Sequence, residues 1–322
     1  MSLLEHQESH ILDTIIVGGG VAGLSAALFL GRAGRSVILY DSGRQRIRTV
    51  ERVREFLGFD GLSPDEMLLR FSQEVLRYGV SIRHEAVEKI HCRTDALFDV
   101  RARHGMLTAR TVVLATGLKD DLPPLAGIRK TWGSDLRICP CFDGHEVRNR
   151  RFVVFGLHER LAQLGAWVSM WSPHVIVVVE RPLEPVGAEK LDLLGIKVMR
   201  DQVTGLVHEN ERLVALATRS GAHIACDAAW IATRLEAASD LAASLCEVDQ
   251  AGFAKTDEHG RTSRAGVFAV GNAANPVAHL AHAAAAGTDV GPWVTSYLLE
   301  SHLAARRGTA GAVRRHEGHE TR

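Results

Sequence analysis

Three glycines near the N-terminus have the spacing of a phosphate-binding turn. Gly18, Gly20 and Gly23 fit the pattern Gly-x-Gly-x-x-Gly. In that pattern the first glycine permits a tight turn, the second lets the backbone approach a pyrophosphate, and the third lets a helix pack closely on a strand. Asp41 follows roughly 20 residues later, where an acidic side chain would hydrogen-bond ribose hydroxyls. These residues predict a bound ADP moiety; the alternative is a coincidental Gly-rich turn.

The elements around this turn have the order that such a site needs. An apolar run at residues 15–17 predicts a buried strand before the glycines. An Ala- and Leu-rich stretch predicts a helix over residues 22–32, so that Val21 and Ala22 lie at its start. The N-terminus of a helix carries the positive end of its dipole and therefore favours a phosphate. Residues 36–40 predict the next strand, which completes a strand–turn–helix–strand segment.

Composition excludes several classes of protein. A length of 322 residues suggests two domains. Lys plus Arg balance Asp plus Glu at 38 each, so neither nucleic acid nor an anionic membrane is an expected partner. No apolar run reaches the length of a membrane span, and residues 1–12 are too polar for a signal peptide, so we expect a cytoplasmic protein. The five cysteines lack zinc spacing, and only Cys139 and Cys141 are close together, so we expect neither a metal site nor a disulfide framework.

Two further predicted strands end in small residues, at residues 111–117 and 266–272. Small residues at a strand end let the backbone come close to a cofactor. The residues at these two ends are Ala115, Thr116 and Gly117 in the first strand, and Gly271 and Asn272 in the second.

A second nucleotide-fold-like unit begins after residue 150. Residues 152–155 predict a strand, 159–171 a helix, and 175–179 a second strand. Because residues 266–272 have the character of a strand that reaches the first cofactor, the first unit resumes after the second, which is therefore an insertion. The expected fold class is α/β, with two Rossmann-like (FAD/NAD(P)-type) domains, the second inserted into the first.

The order of four motifs resembles that of the low-molecular-weight thioredoxin reductases. The motifs are the glycine turn with its acid, residues 115–117, Cys139-Pro140-Cys141-Phe142-Asp143-Gly144, and residues 262–272. Over roughly residues 13–304 the chain resembles the thioredoxin reductase-like flavoproteins, which are FAD-dependent pyridine nucleotide-disulfide oxidoreductases and include the dithiol oxidases of natural-product pathways. The resemblance implies a redox-active disulfide enzyme with FAD on the first unit, an insertion that holds NADPH in reductases, and usually a homodimer.

The resemblance also suggests domain boundaries. They are residues 1–118 for the first part of the FAD-binding domain, 119–235 for the inserted NAD(P)-type domain, degenerate in its cofactor motif, and 236–304 for the second part of the FAD-binding domain. Residues 305–322 are polar and lack a core-forming face, so we expect a disordered tail.

The cysteine motif departs from the family pattern Cys-x-x-Cys-Asp-Gly. Phe142 occupies the position of the second cysteine, and the second thiol is at Cys141. Residues two apart can still close a disulfide where the chain bends, and Pro140 would help to set that bend. We expect Cys139 and Cys141 to be redox-active and their disulfide labile; the alternative is that one or both thiols are inert. The resemblance implies that Asp143 is the acid in thiol exchange, whereas otherwise it is a turn residue.

The predicted nicotinamide site is degenerate. In the second unit only Gly156 keeps its place in the glycine pattern, and His158 and Glu159 put side chains where the backbone would approach a diphosphate. Glu159 adds like-charge repulsion. Glu180 disfavours a 2′-phosphate at the end of the next strand, and Arg181 alone is a poor substitute for an arginine cluster. Binding of NADPH is therefore doubtful.

The last candidate residues follow the second small-residue strand end. Asn272 stands where many reductases have Asp, and because Asn both donates and accepts hydrogen bonds, FAD binding should be kept. His279 lies where the family often places a polar residue beside the flavin, and His282 follows at i+3. Either histidine could deprotonate a thiol or stabilise a thiolate; the alternative is two surface contacts.

The leading hypothesis is an FAD-dependent thiol/disulfide oxidoreductase that acts through Cys139 and Cys141. The degenerate nicotinamide motif favours a dithiol oxidase that oxidises a small dithiol and passes electrons to O2. One alternative is a reductase that takes electrons from NADPH or a ferredoxin-like donor and passes them to a thioredoxin-like protein. Another, of a different class, is a catalytically decayed FAD-binding scaffold or regulatory subunit.

Overall fold

The computed structural model of the chain describes residues 11–317, with side chains through residue 307. It divides into two compact units. Among the described residues, the first unit contains residues 11–46, Leu68–Lys119 and residues 236–317. The second unit contains Ile47–Met67 and Asp120–Leu235. The expected α/β class is confirmed.

The first unit is built on a seven-stranded sheet in the order β3-β2-β1-β6-β5-β4, with β17 also paired to β6. Strands β1, β2, β3, β6 and β17 pair in parallel, whereas β4 and β5 join β6 as an antiparallel meander. The strands are β1 Leu12–Val17, β2 Val37–Tyr40, β3 Ser81–Arg83, β4 Val87–Cys92, β5 Phe98–Ala102, β6 Gly105–Leu114 and β17 Val267–Ala269. The parallel strands are short apolar runs because both of their faces are covered.

The helices of the first unit are α1 Val21–Arg32, α7 Leu241–Leu245 and α8 Leu280–Glu317. Helix α2, Pro64–Leu76, runs across the boundary at Met67, and a 3₁₀ turn spans Arg46–Thr49. The chain passes between the units within β7, Leu118–Asp121, and β16, Arg234–Ala237, which pair with each other.

Helix α8 is continuous over residues 287–292 and corrects one sequence expectation. Gly287 and Gly291 lie where α8 packs on α1. A Cβ at Gly287 would be 2.1 Å from the backbone oxygen of Ala22, and one at Gly291 would be 2.1 Å from the Phe29 ring. The helix also continues through residue 317, into the segment 305–322 that was expected to be disordered. Alanine and arginine favour helix even where no core-forming face exists. Residues 318–322 lie outside the described residues.

The second unit contains a five-stranded, fully parallel sheet in the order β11-β10-β9-β15-β8. Its strands are β8 Leu136–Arg137, β9 Phe152–Gly156, β10 Val175–Val179, β11 Lys197–Arg200 and β15 Ala228–Ala232. Phe152 and Trp230 meet edge to face in its core, with ring centroids 4.4 Å apart. The helices are α3 Ile128–Thr131, α4 Pro140–Asp143, α5 His158–Val168 and α6 Pro185–Leu193.

A three-stranded antiparallel sheet in the second unit has no counterpart among the sequence expectations. Its strands are β12 Val203–Glu209, β13 Arg212–Thr218 and β14 His223–Ala225. Asn210 and Glu211 form the tight turn between the first two strands, and both have positive φ. The usual sequence signal of such a hairpin turn is Asn-Gly. Here a glutamate, which rarely takes this conformation, stands in place of the glycine, so the sequence did not predict the turn.

Candidate functional site: a dinucleotide turn and a cysteine pair

The glycine turn of the first unit requires glycine at its first and third positions. Gly18 follows β1 with φ +122°, and a Cβ there would lie 2.1 Å from the backbone oxygen of Ala115. A Cβ at Gly23, inside α1, would lie 1.9 Å from the oxygen of Gly18. The turn is therefore closed by backbone-to-backbone packing that a side chain would prevent.

Gly20 has a different reason to be glycine. It is the N-cap of α1, and a Cβ built on it meets nothing within 4 Å. Among the described residues, no side chain caps this helix, so the first N–H groups of the helix, from Val21 and Ala22 onward, are open to an anion. Packing within the protein does not require a glycine at this position. The close approach of the backbone to a pyrophosphate explains why a glycine is there. The residues present therefore fit the ADP part of FAD.

Asp41 is held at the end of β2 by a residue that sequence reasoning missed. Its carboxylate accepts hydrogen bonds from the Gly43 N–H at 2.8 Å and from Gln45 Nε2 at 2.7 and 2.8 Å. Gln45 Nε2 also donates to the Gly19 oxygen at 3.1 Å, which joins the acid to the glycine turn. A carboxylate has further lone pairs, so Asp41 can still accept from a ribose hydroxyl.

The other predicted FAD contacts lie at strand ends of the same sheet. Ala115, Thr116 and Gly117 follow β6, whereas Gly271 and Asn272 follow β17, which pairs with β6. Gly271 has φ +60°, and a Cβ there would be 2.7 Å from Ala22 Cβ. These strand ends and the glycine turn therefore meet at the carboxyl edge of the parallel strands.

Asn272 and the two histidines lie close together in sequence at the start of α8. The Asn272 amide donates to the backbone oxygens of Asn275 at 2.9 Å and Ala278 at 3.1 Å, so it shapes the loop before the helix. His279 and His282 are exposed, and their ring centroids are 6.0 Å apart. Both histidines belong to the first unit, whereas Cys139 and Cys141 belong to the second.

The cysteine pair flanks a proline at the start of α4. Cys139 is the N-cap, Pro140 is the first helical residue, and the Phe142 N–H donates to the Cys139 oxygen at 3.1 Å. Both thiols are free; Cys139 is half-buried and Cys141 is exposed. Burial, followed by the hydrogen bond to the Cys141 thiol, raises the pKa of Cys139 to about 12. The half-buried sulfur is therefore held as a neutral thiol beside an exposed one.

Asp143 is fixed by an arginine that sequence reasoning also missed. Arg137, at the end of β8, places Nη1 3.3 Å from Asp143 Oδ2. Burial raises the pKa of Asp143, and Arg137 opposes that rise by charge and hydrogen bonding. No local pattern marks Arg137, because its partner is six positions away on another element. Gly144, the next residue, lies against the Trp171 ring, where a Cβ would be 2.8 Å away.

The corresponding turn of the second unit has a first glycine of similar conformation, followed by different residues. Gly156 has φ +112°, close to that of Gly18, and a Cβ there would be 2.5 Å from the Ala232 oxygen. His158 begins α5, and Glu159 Oε1 accepts from Arg181 Nη2 at 3.1 Å. Arg181, two residues after β10, is therefore paired with a carboxylate at the start of α5.

The described residues contain neither a membrane-spanning helix nor a cluster of metal ligands. None of the helices between residues 11 and 317 is both long and apolar enough to cross a lipid bilayer. In the same residues, no three His, Cys, Asp or Glu side chains are placed to hold a metal ion.

Comparisons with known proteins place this arrangement in a family. Residues 12–287 match the family model described as pyridine nucleotide-disulphide oxidoreductase. A thioredoxin reductase from Listeria innocua is 27% identical over 286 residues, which cover 82% of this chain and 86% of that protein.

Two solved structures share the fold over nearly the whole chain. The crystal structure of HlmI is 32% identical with a TM-score of 0.89 and covers 94% of this chain and 98% of that one. A putative thioredoxin reductase, TrxB, from Bacillus anthracis is 25% identical with a TM-score of 0.85 and covers 90% and 99%. The chain belongs to the pyridine nucleotide-disulphide oxidoreductase family and is a thioredoxin reductase-like, FAD-dependent disulfide oxidoreductase.

Proposed function

We propose that the enzyme is a dithiol oxidase: it converts a small dithiol to a disulfide through Cys139 and Cys141, and dioxygen is the final electron acceptor. The observation that carries this proposal is the state of the second turn. Glu159, the second residue of α5, pairs with Arg181, so this turn lacks the glycine pattern of the first unit and Arg181 already has a carboxylate partner. Without a nicotinamide donor, the substrate dithiol is the source of the electrons in this proposal.

The first unit holds the cofactor in this proposal. The N-terminus of α1 would bind the FAD pyrophosphate, Asp41 the ribose, and the strand ends at Ala115–Gly117 and Gly271–Asn272 would line the path of the flavin. When bound, FAD supplies a two-electron acceptor that dioxygen can reoxidise to give hydrogen peroxide.

Burial assigns different tasks to the two cysteines. Cys141 is exposed and is therefore the sulfur that an incoming thiolate can reach in the disulfide form. Cys139 is half-buried, and its raised pKa means that it must be protonated as it leaves. In this proposal Asp143, four residues after Cys139, supplies that proton. His279 or His282 remains a second candidate for proton transfer.

A reductase is the second candidate function. Relatives named thioredoxin reductase favour it, and it would take electrons from NADPH or a ferredoxin-like donor and pass them to a thioredoxin-like protein. A homodimer and a cytoplasmic location remain predictions for either function. The first unit retains the glycine turn, for which a scaffold that has lost catalysis would have little need.

An anaerobic titration of the purified yellow protein tests the proposal. We expect dithiothreitol to bleach the flavin band, NADPH and NADH to leave it unchanged, and air to restore the colour with formation of hydrogen peroxide. Prompt bleaching by a nicotinamide would overturn the oxidase assignment and establish the reductase. Cys139→Ser and Cys141→Ser should remain yellow and lose dithiol turnover. Cys246→Ser, which removes a cysteine of the first unit, is the matched control and should retain turnover.

A further inference from the structure

A buried ion pair lies within one helical turn of the cysteine pair. Arg137 Nη1 is 3.3 Å from Asp143 Oδ2, and each side chain is only 12% exposed. In addition, Arg137 Nε is buried without a hydrogen-bond partner among the described residues. Burying a guanidinium with one of its donors unsatisfied is costly, so packing alone gives no reason for an arginine here.

Arg137 is the main group that favours the ionised form of Asp143, because the other charged neighbours either act more weakly or disfavour that form. Glu146, the next carboxylate along the chain, raises the pKa of Asp143, as burial does. Arg54, from the segment before α2, lowers it, but Arg54 Nε is bonded to Glu146 at 3.1 Å and its Nη1 lies 3.7 Å from Asp60. Arg137 is therefore the cation in direct contact with Asp143.

The geometry of α4 connects this pair to the thiols. Cys139 is the N-cap of the helix and Asp143 its fourth residue, so about one helical turn of chain separates them. We propose that Arg137 is a positioning residue of the dithiol site, which holds the Asp143 carboxylate fixed and ionised so that it can transfer protons during thiol exchange. This inference rests on the proposed function of Cys139 and Cys141.

The exchange that Asp143 would serve is balanced in protons and electrons. A substrate thiol gives its proton to Asp143 and attacks Cys141 Sγ, and the Cys139 sulfur leaves and takes the proton from Asp143. The second substrate thiol then gives its proton to Asp143 and attacks the substrate sulfur of the mixed disulfide, and the Cys141 sulfur leaves and takes that proton to become a thiol. The substrate loses two electrons and two protons, and the enzyme disulfide becomes two thiols. Each transfer begins with Asp143 ionised, which is the state that Arg137 favours.

The test is single-turnover thiol exchange without flavin. FAD-free protein is oxidised with diamide and mixed anaerobically with dithiothreitol, and the appearance of thiols is followed by acid quench and maleimide mass shift between pH 6 and pH 9. In Arg137→Met we expect exchange about tenfold slower at pH 6 and within about twofold of wild type at pH 9, because Asp143 loses the cation that keeps it ionised. Arg137→Lys keeps the charge and should recover most of the rate at pH 6.

Three controls separate the possible outcomes. Asp143→Asn should be slow across the whole pH range, and adding Arg137→Met to it should cost nothing more, because the arginine acts through the carboxylate. Arg151→Met removes a different arginine–carboxylate pair of the same unit and should leave the profile unchanged. If Arg137→Met is folded by circular dichroism and keeps the wild-type pH profile, the inference is wrong while the proposed function stands. If diamide forms no Cys139–Cys141 disulfide in wild-type protein, the proposed function itself fails.

Discussion

Gly18 and Gly156 occupy the same place in two strand–turn–helix segments, and their φ angles are +122° and +112°. After Gly18 the turn continues with an open position at Gly20 and an uncapped helix start. After Gly156 it continues with His158 and Glu159, and Glu159 is paired to Arg181.

Two turns whose first glycines have similar backbone angles therefore carry different residues at the start of the helix that follows. The buried parallel strands β9 and β10 and the helix α5 contribute to one hydrophobic core of the second unit. We expect binding at the turn to depend instead on His158 and Glu159, the side chains at the start of α5. The predictions below test this separation of fold from binding.

The largest expected effect is at Gly23. In Gly23→Ala the new Cβ would meet the Gly18 oxygen at 1.9 Å, so the turn cannot close as it does now. We expect the free energy of unfolding, measured with urea, to fall by roughly 3 kcal/mol or more, and the purified protein to be colourless. Gly20→Ala is the matched control: its Cβ meets no protein atom, so the FAD-free protein should keep its stability and only FAD affinity should fall. A stable, yellow Gly23→Ala protein would contradict the packing argument.

The next effect concerns FAD affinity and compares the acidic residues that follow β2 and β10, Asp41 and Glu180. Asp41→Ala should weaken FAD binding by about 10- to 100-fold, the cost of losing a charged hydrogen-bond acceptor. Titration of FAD-free protein with FAD, followed by flavin fluorescence, measures this change. Asp41→Asn should lose less, because the amide oxygen still accepts. Glu180→Ala, at the equivalent place in the second unit, should leave FAD affinity unchanged; an equal loss there would argue against separate roles.

Removing the two side chains at the start of α5 should increase the affinity for NADPH. The double variant His158→Gly, Glu159→Ala opens the second turn and frees Arg181 from its carboxylate. We expect its affinity for NADPH, measured by isothermal titration calorimetry, to rise about tenfold over wild type. Glu189→Ala, elsewhere in the second unit, is the charge control and should give no gain. Tight NADPH binding by the wild-type protein would show that these side chains do not block the site.

The smallest effect concerns the scaffold of the second unit. Arg151, just before β9, donates two side-chain hydrogen bonds to Asp227, just before β15, and these lower the pKa of Asp227 from 3.8 to about 2. Because the folded-state pKa is depressed, the stabilisation is present above about pH 4 and is lost as the pH falls toward 2. The Arg151 side chain is 56% exposed, so solvent screening limits the pair to about 1 kcal/mol.

Urea unfolding of Asp227→Asn measures that contribution. We expect the variant to be less stable than wild type by about 1 kcal/mol at pH 7 and the difference to shrink at pH 3. Its affinity for dinucleotides should not change, since the pair lies at the opposite ends of the strands from the turn. A difference independent of pH would mean that the pair acts through packing rather than charge.

Local spacing was enough to predict the first turn. Gly18, Gly20 and Gly23 act through the backbone within six positions, and the strand and helix beside them are short apolar and Ala-rich runs that fold as their composition indicates. The cysteine motif is local in the same sense, because Cys139 and Cys141 lie on one turn of chain. The α/β class followed from the same alternation of elements.

Contacts between distant positions were decided by tertiary structure alone. Gln45 reaches back 26 positions to Gly19, Arg181 pairs with Glu159 across 22 positions, and α8 runs through Gly287 and Gly291 because they fit against α1. The ion pair of Arg137 with Asp143 is likewise visible only in the folded structure, where β8 brings the two residues together. The pattern along a chain reports on neighbours within a turn or a strand, whereas the partner of a charge or a glycine is set by which elements the folded core places side by side.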